Sequence, residues 1–197
     1  MIIGVIIAGI FLGCWVVPDN LVGKLDQITT IALGVLILGV GIELGQNRGT
    51  WLKLKQLGWK VLLVPLGIVL GTLCGTTIAG WIIQIPFNES SAIGAGFGWY
   101  SLSAILIDKM YNAQTGTLAF LTNVFREVLA ILTIPLLATK ISKVSSVAPG
   151  GATTMDTTLP IITKAAGPEI GLVGFISGVV LTTLVPILVP LLLTLKF

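Results

Sequence analysis

Histidine is absent from all 197 residues, and Asp, Glu, Lys and Arg together supply only 10% of them. The first absence excludes an imidazole proton relay and any His-ligated metal. The second excludes an ordinary soluble domain, in which about a quarter of residues are charged. Cysteine is nearly missing too. Cys14 and Cys74 lie far apart inside apolar runs, without the paired spacing of a zinc or redox site. Both read as small packing residues, with no disulfide. No nucleophile stands near a base, so an enzyme is not expected, nor is a metal or an organic cofactor. What fills the chain is apolar: 55% hydrophobic residues and a mean hydropathy of +1.05. Such a surface must face lipid, and the chain reads as an all-α, polytopic membrane protein.

The net charge of +3 is concentrated. Arg48, Lys53, Lys55 and Lys60 crowd one loop, beside Trp51 and Trp59. That loop lies between two apolar segments, so the positive-inside rule and the interfacial aromatic belt explain it, and nucleic acid does not. Five stretches are expected to cross: Ile2–Val17, Ile28–Leu44, Val61–Ile83, Thr117–Ala138 and Gly171–Leu195, the last kinked at Pro186 and Pro190. Ile2–Val17 has neither a basic leader nor a cleavage site and is read as a helix, not a signal peptide. Pro86–Ser91 reads as a loop.

Two further segments are too short and too polar to cross, 92–107 and 150–162. The first is Gly-rich and carries Trp99, Tyr100, Ser101 and Ser103; the second is GGATTMDTTLPII. Such segments are tolerated at membrane depth where they line a cavity, and a pair of them is the best sequence pointer to a transporter site. If 92–107 crossed, Lys140 and Lys143 would lie outside; if it dips in and returns, they join the basic loop inside. The positive-inside rule selects the second arrangement. Residues 1–197 then form one transmembrane transporter domain with five spans and two re-entrant segments. Its N-terminus and Lys143 are cytoplasmic; its C-terminus and Ser91 are external.

Asn123, Arg126 and Glu127 interrupt the fourth span. Charges at that depth are costly unless paired or facing a wet cavity. Asn123 and Glu127, at i and i+4, share a face; Arg126 is expected to find an ionic partner on a neighbouring segment, with Asp156 a candidate. The alternative is a structural Arg–Glu lock. Asp156 stands among Thr153, Thr154, Thr157 and Thr158. Hydroxyls, freed carbonyls and a carboxylate suit a hard cation or an ammonium group; a plain Asp helix cap is the alternative. Pro160 is expected to hold the backbone non-helical. Trp99 and Tyr100 either form a cation–π surface or anchor at the interface. Glu43 reads as an interfacial residue.

GFGWYSLS at Gly96–Ser103, N-x-x-R-E at Asn123–Glu127 and GATTMDTTLP at Gly151–Pro160 together resemble the bacterial lysine exporter family, over about Ile28 to the C-terminus. The resemblance implies export of L-lysine and of its toxic analogue thialysine across the plasma membrane. It also implies two essential acids, at Glu127 and Asp156. Long members of that family carry roughly three more spans before the matching part; a separate small membrane subunit or self-association would supply them here. The expected site is therefore Glu127, Asp156, Asn123, Thr153, Thr154, Thr157, Trp99, Tyr100 and Ser101, with Arg126 as its structural ion pair. Proton antiport is the simplest coupling and sodium the second choice. A sodium-coupled carrier of another small solute and a non-transporting assembly subunit are the competing readings.

Overall fold

The computed structural model describes residues 58–195 continuously and, before them, Phe11, Leu12, Trp15, Lys24, Ile31, Val35, Leu38 and Ile42. The expected spans Ile2–Val17 and Ile28–Leu44, most of the basic loop and Glu43 lie outside the described residues. After a 3-10 turn at Gly58–Leu62 come α1 (Leu63–Ile82), α2 (Phe87–Gly94), α3 (Tyr100–Met110) and α4 (Ala113–Lys140). Two 3-10 turns follow, Val144–Val147 and Gly151–Met155, then α5 (Leu159–Ala166) and α6 (Pro168–Thr194). No strand occurs among the described residues.

Among the described residues, three helical stretches are long and apolar enough to cross a membrane: Gly58–Ile82, Ala113–Lys140 and Pro168–Thr194. Their large apolar side chains face outward as well as inward: Leu66, Phe125 and Ile187 are each more than half exposed. That pattern suits lipid as solvent and no aqueous one. The protein is an all-helical membrane protein. α6 continues through Pro186 and Pro190. α4 starts on Asn112, whose side chain accepts from the Thr115 amide at 2.7 Å, satisfying one of the orphan donors of a helix start.

Two expectations are corrected. Residues 87–91 form the first turns of α2 rather than a loop. Pro86 precedes that helix with φ −53°, and the Ser91 hydroxyl donates back to the Phe87 carbonyl at 2.6 Å, so serines that read as loop formers are absorbed by the helix. Ser91 itself is buried. Pro160 does not hold its segment open; it sits in the first turn of α5, where a missing N–H costs nothing.

α2 and α3 are two legs of a hairpin. α2 runs antiparallel to α1: a Cβ on Gly80 would overlap Ser90, and one on Gly94 would overlap Thr76. The chain turns through Ala95–Trp99 and returns along α4, where Gly116 leaves room for Asp108. At the return Tyr111 donates to Glu89 at 3.0 Å and Thr115 donates to the other Glu89 oxygen at 2.8 Å. The start of α2 and the end of α3 therefore lie together, and the break lies at the far end of both. The start of α1 (Leu63, Val64) shares a cavity wall with Ser142, Val144 and Ser145, so Lys60 and Lys143 lie at the same end of the bundle.

That geometry makes a labelling prediction. In a background with Cys14 and Cys74 replaced, a cysteine at exposed Gln84 is expected to react with an impermeant maleimide in intact cells. One at Lys143 is expected to react only after permeabilisation. Labelling of both positions in intact cells would overturn the hairpin arrangement.

Candidate functional site

The two interrupted segments meet backbone to backbone. Phe97 and Gly98 have φ of +48° and +98°, and Gly151 has +60°. The Ala152 amide donates to the Phe97 carbonyl at 2.8 Å. A Cβ on Gly151 would overlap that same carbonyl oxygen, and one on Gly98 would stand 3.3 Å from the Gly150 carbonyl. Only glycine permits so close an approach with φ positive. The GFG and PGGA sequences are thus the contact between the two breaks, not a phosphate cradle.

Asn123 holds this crossing from α4. Its side-chain oxygen accepts from the Gly98 amide at 2.7 Å, and its amide nitrogen donates to the carbonyls of Ile93 at 3.1 Å and Ala119 at 2.9 Å. It is 2% exposed. Asn123, expected as a ligand-facing amide, is engaged with the backbone at the first break. Asn123→Ala would strand a buried N–H, at a cost of about 1–3 kcal/mol. The expected outcome is a lower melting temperature in detergent, with Asn123→Asp no milder than Asn123→Ala, because its second oxygen would face the Ile93 and Ala119 carbonyls that the amide now satisfies.

Arg126, one turn on, donates to the carbonyls of Pro149 at 3.0 Å and Ala148 at 3.2 Å and to the Thr72 hydroxyl at 3.1 Å. It ties α1, α4 and the second break together. Its expected ionic partner is not found among the described residues; neutral oxygens, freed where the backbone leaves helical geometry, take that place.

Glu127 and Asp156 come together. Glu127, on α4, lies near enough to Thr157 and Asp156 for both to act on its carboxylate. Asp156 accepts from the Thr157 amide at 2.6 Å and from its hydroxyl at 3.3 Å. Asp156 ends the 3-10 turn Gly151–Met155 with φ −138°, and α5 begins at Leu159 with Thr158 as its cap. One hydroxyl thus lies between two half-buried carboxylates from different elements.

The other expected residues divide. Thr153 donates to Gly150 at 2.9 Å and touches Thr158 at 3.2 Å. The Thr154 hydroxyl lies 2.7 Å from the carbonyls of both Gly151 and Gly174. Both are buried and hold the turn onto α6, where a Cβ on Gly178 would overlap Met155. Trp99 packs on the core, Tyr100 meets Phe120 edge-to-face with centroids 5.4 Å apart, and Ser101 is exposed. Thr72 and the carbonyls of Ala148 and Pro149 are partners of Arg126 that the sequence reading missed. The only signal was Thr72 and Thr76 at i and i+4 beside a glycine stripe.

The family profile described as "Lysine exporter LysO" matches residues 3–193. The chain belongs to this family. It is a family of transport proteins, not of enzymes, and the match begins well before Ile28. The chain is 35% identical over 163 residues to "Lysine exporter LysO" of Escherichia coli (strain K12), covering 83% of this chain and 54% of that protein. It is 33% identical over 187 residues to "Putative lysine exporter" of Haemophilus influenzae, covering 95% and 94%. The chain therefore spans about half the length of the first relative and nearly all of the second. No solved structure matches it.

Proposed function

We propose that this protein exports L-lysine, and with it thialysine, across the bacterial plasma membrane, with Glu127 and Asp156 receiving the ammonium end of the substrate. The observation that carries this reading is the approach of two half-buried carboxylates, Glu127 from α4 and Asp156 from the second break, inside an apolar helical bundle. Charges kept at such depth serve a permeating or titrating species, and broken helices at the bundle centre are where secondary transporters bind. Two like charges this close favour either a shared cation or a proton on one of them. Substrate and proton then compete for one site, the requirement for antiport. The hairpin α2–α3 dips into the bilayer and returns, which leaves the N-terminus cytoplasmic and the C-terminus external. A small membrane subunit, or a second copy of this chain, is its expected partner.

The test is uptake of labelled lysine into inverted vesicles that carry the protein, under an imposed pH gradient. Uptake that follows the gradient is expected. Strict dependence on sodium without a response to pH would replace proton antiport by sodium coupling. No lysine movement under either gradient would leave the assembly-subunit reading.

A further inference from the structure

Arg126 carries a charge that no described residue neutralises. A guanidinium has five N–H donors. Three of these go to Pro149, Ala148 and Thr72, all neutral acceptors. Among the described residues, two donors and the positive charge remain without a partner. Hydrogen bonds to neutral oxygens satisfy geometry, but they do not offset the cost of a lone charge in a low-dielectric setting.

Arg126 lines a cavity of about 590 Å³ between α1 and α4, together with Thr72, Thr76, Thr122, Asn123 and Pro149. The α1 wall is recessed: a Cβ on Gly71 or Gly75 would meet nothing within 4 Å. These glycines border space instead of a packed helix, unlike Gly178 on α6. Most of the remaining wall is apolar, from residues such as Ile93, Leu129 and Ala130. An apolar-walled cavity holding an uncompensated guanidinium favours an anion. A carboxylate matches the two spare donors in plane and strengthens them by its charge. The Thr72 hydroxyl already accepts from Arg126, so its proton remains to be donated to the same ligand.

We propose that Arg126 and Thr72 bind the α-carboxylate of the transported amino acid in this cavity. The inference rests on the transport reading above and adds what that reading lacks, a site for the negative end of a zwitterion. Consecutive residues of a helix point about 100° apart. Arg126 and Glu127 therefore present opposite charges on adjacent faces of α4, as an amino acid with a cationic side chain requires. Recognition of the carboxylate would also separate the amino acid from the diamine that differs only by its loss.

The experiment uses the purified full chain in nanodiscs and measures binding of L-lysine, lysinamide and cadaverine by calorimetry. The wild type is expected to bind lysine at least tenfold more tightly than either compound lacking the carboxylate. Arg126→Gln is expected to bring lysine down to the level of lysinamide while leaving lysinamide unchanged. Thr72→Val should move lysine partway in the same direction. Equal binding of lysine and lysinamide by the wild type would overturn the carboxylate site and leave the transport reading standing. An equal loss for both ligands in Arg126→Gln would also overturn it, since that is the signature of a purely structural arginine. If the wild type binds none of the three, the transport reading falls and this inference with it. Should Arg126→Gln fail to fold, the wild-type comparison of lysine with lysinamide decides alone.

Discussion

Asp156→Asn is expected to abolish lysine export while the protein still accumulates and melts near the wild-type temperature. The asparagine keeps an oxygen for the Thr157 amide, which Asp156 now accepts at 2.6 Å, so the turn survives. What it loses is the charge. Removing one partner of a desolvated charge pair typically costs about 2–5 kcal/mol, which at 1.4 kcal/mol per tenfold is roughly a 30- to 4,000-fold loss of affinity. Glu127→Gln should behave alike, since the amide keeps the volume and an acceptor oxygen while losing the charge. Because the two acids act as one site, the double variant should be little worse than either single one. Resistance to thialysine, export rate and melting temperature together read the result. Wild-type resistance in either variant would remove that carboxylate from the path.

Gly151→Ala is expected to be the most damaging glycine-to-alanine change among the described residues. Gly151 has φ +60° and lies against the Phe97 carbonyl, with the Arg126 guanidinium 3.0 Å from the position a Cβ would take. A left-handed conformation costs an ordinary residue about 1–2 kcal/mol, and overpacking adds about 1–3. The expected destabilisation is roughly 2–5 kcal/mol, read as a large fall in melting temperature and yield in detergent. Gly67→Ala provides the control: it also lies in an apolar segment, but its Cβ would meet nothing within 4 Å. A Gly151→Ala protein as stable as Gly67→Ala would mean that the two breaks do not touch as described.

Much of the architecture was written in residue type. The scarcity of charge and the long apolar runs of α1, α4 and α6 can be satisfied only by helices in lipid, because only there does an unpaired apolar surface cost nothing. The glycines and polar residues of 92–107 and 150–162 marked where helices are interrupted, since no lipid-facing helix tolerates them. Glu127 and Asp156 stood out for the same reason: a carboxylate at that depth demands a function or a partner.

Which residues meet could not be read in this way, because contacts across breaks depend on where distant backbones cross. Helical spacing placed Asn123 beside Glu127, yet the crossing of Gly98 with Gly151 turns the Asn123 amide into a backbone clamp. Charge complementarity assigned Arg126 to a carboxylate. Freed carbonyls at Ala148 and Pro149 take two of its donors instead, and local sequence does not show which carbonyls a broken helix frees. Thr153 and Thr154 look equivalent to Thr157 in GATTMDTT, but packing against α6 buries the first two and leaves Thr157 between the acids. Residue chemistry thus identifies the expensive groups, and the fold alone chooses among the ways of satisfying them, since that choice rests on distances between segments far apart in the chain.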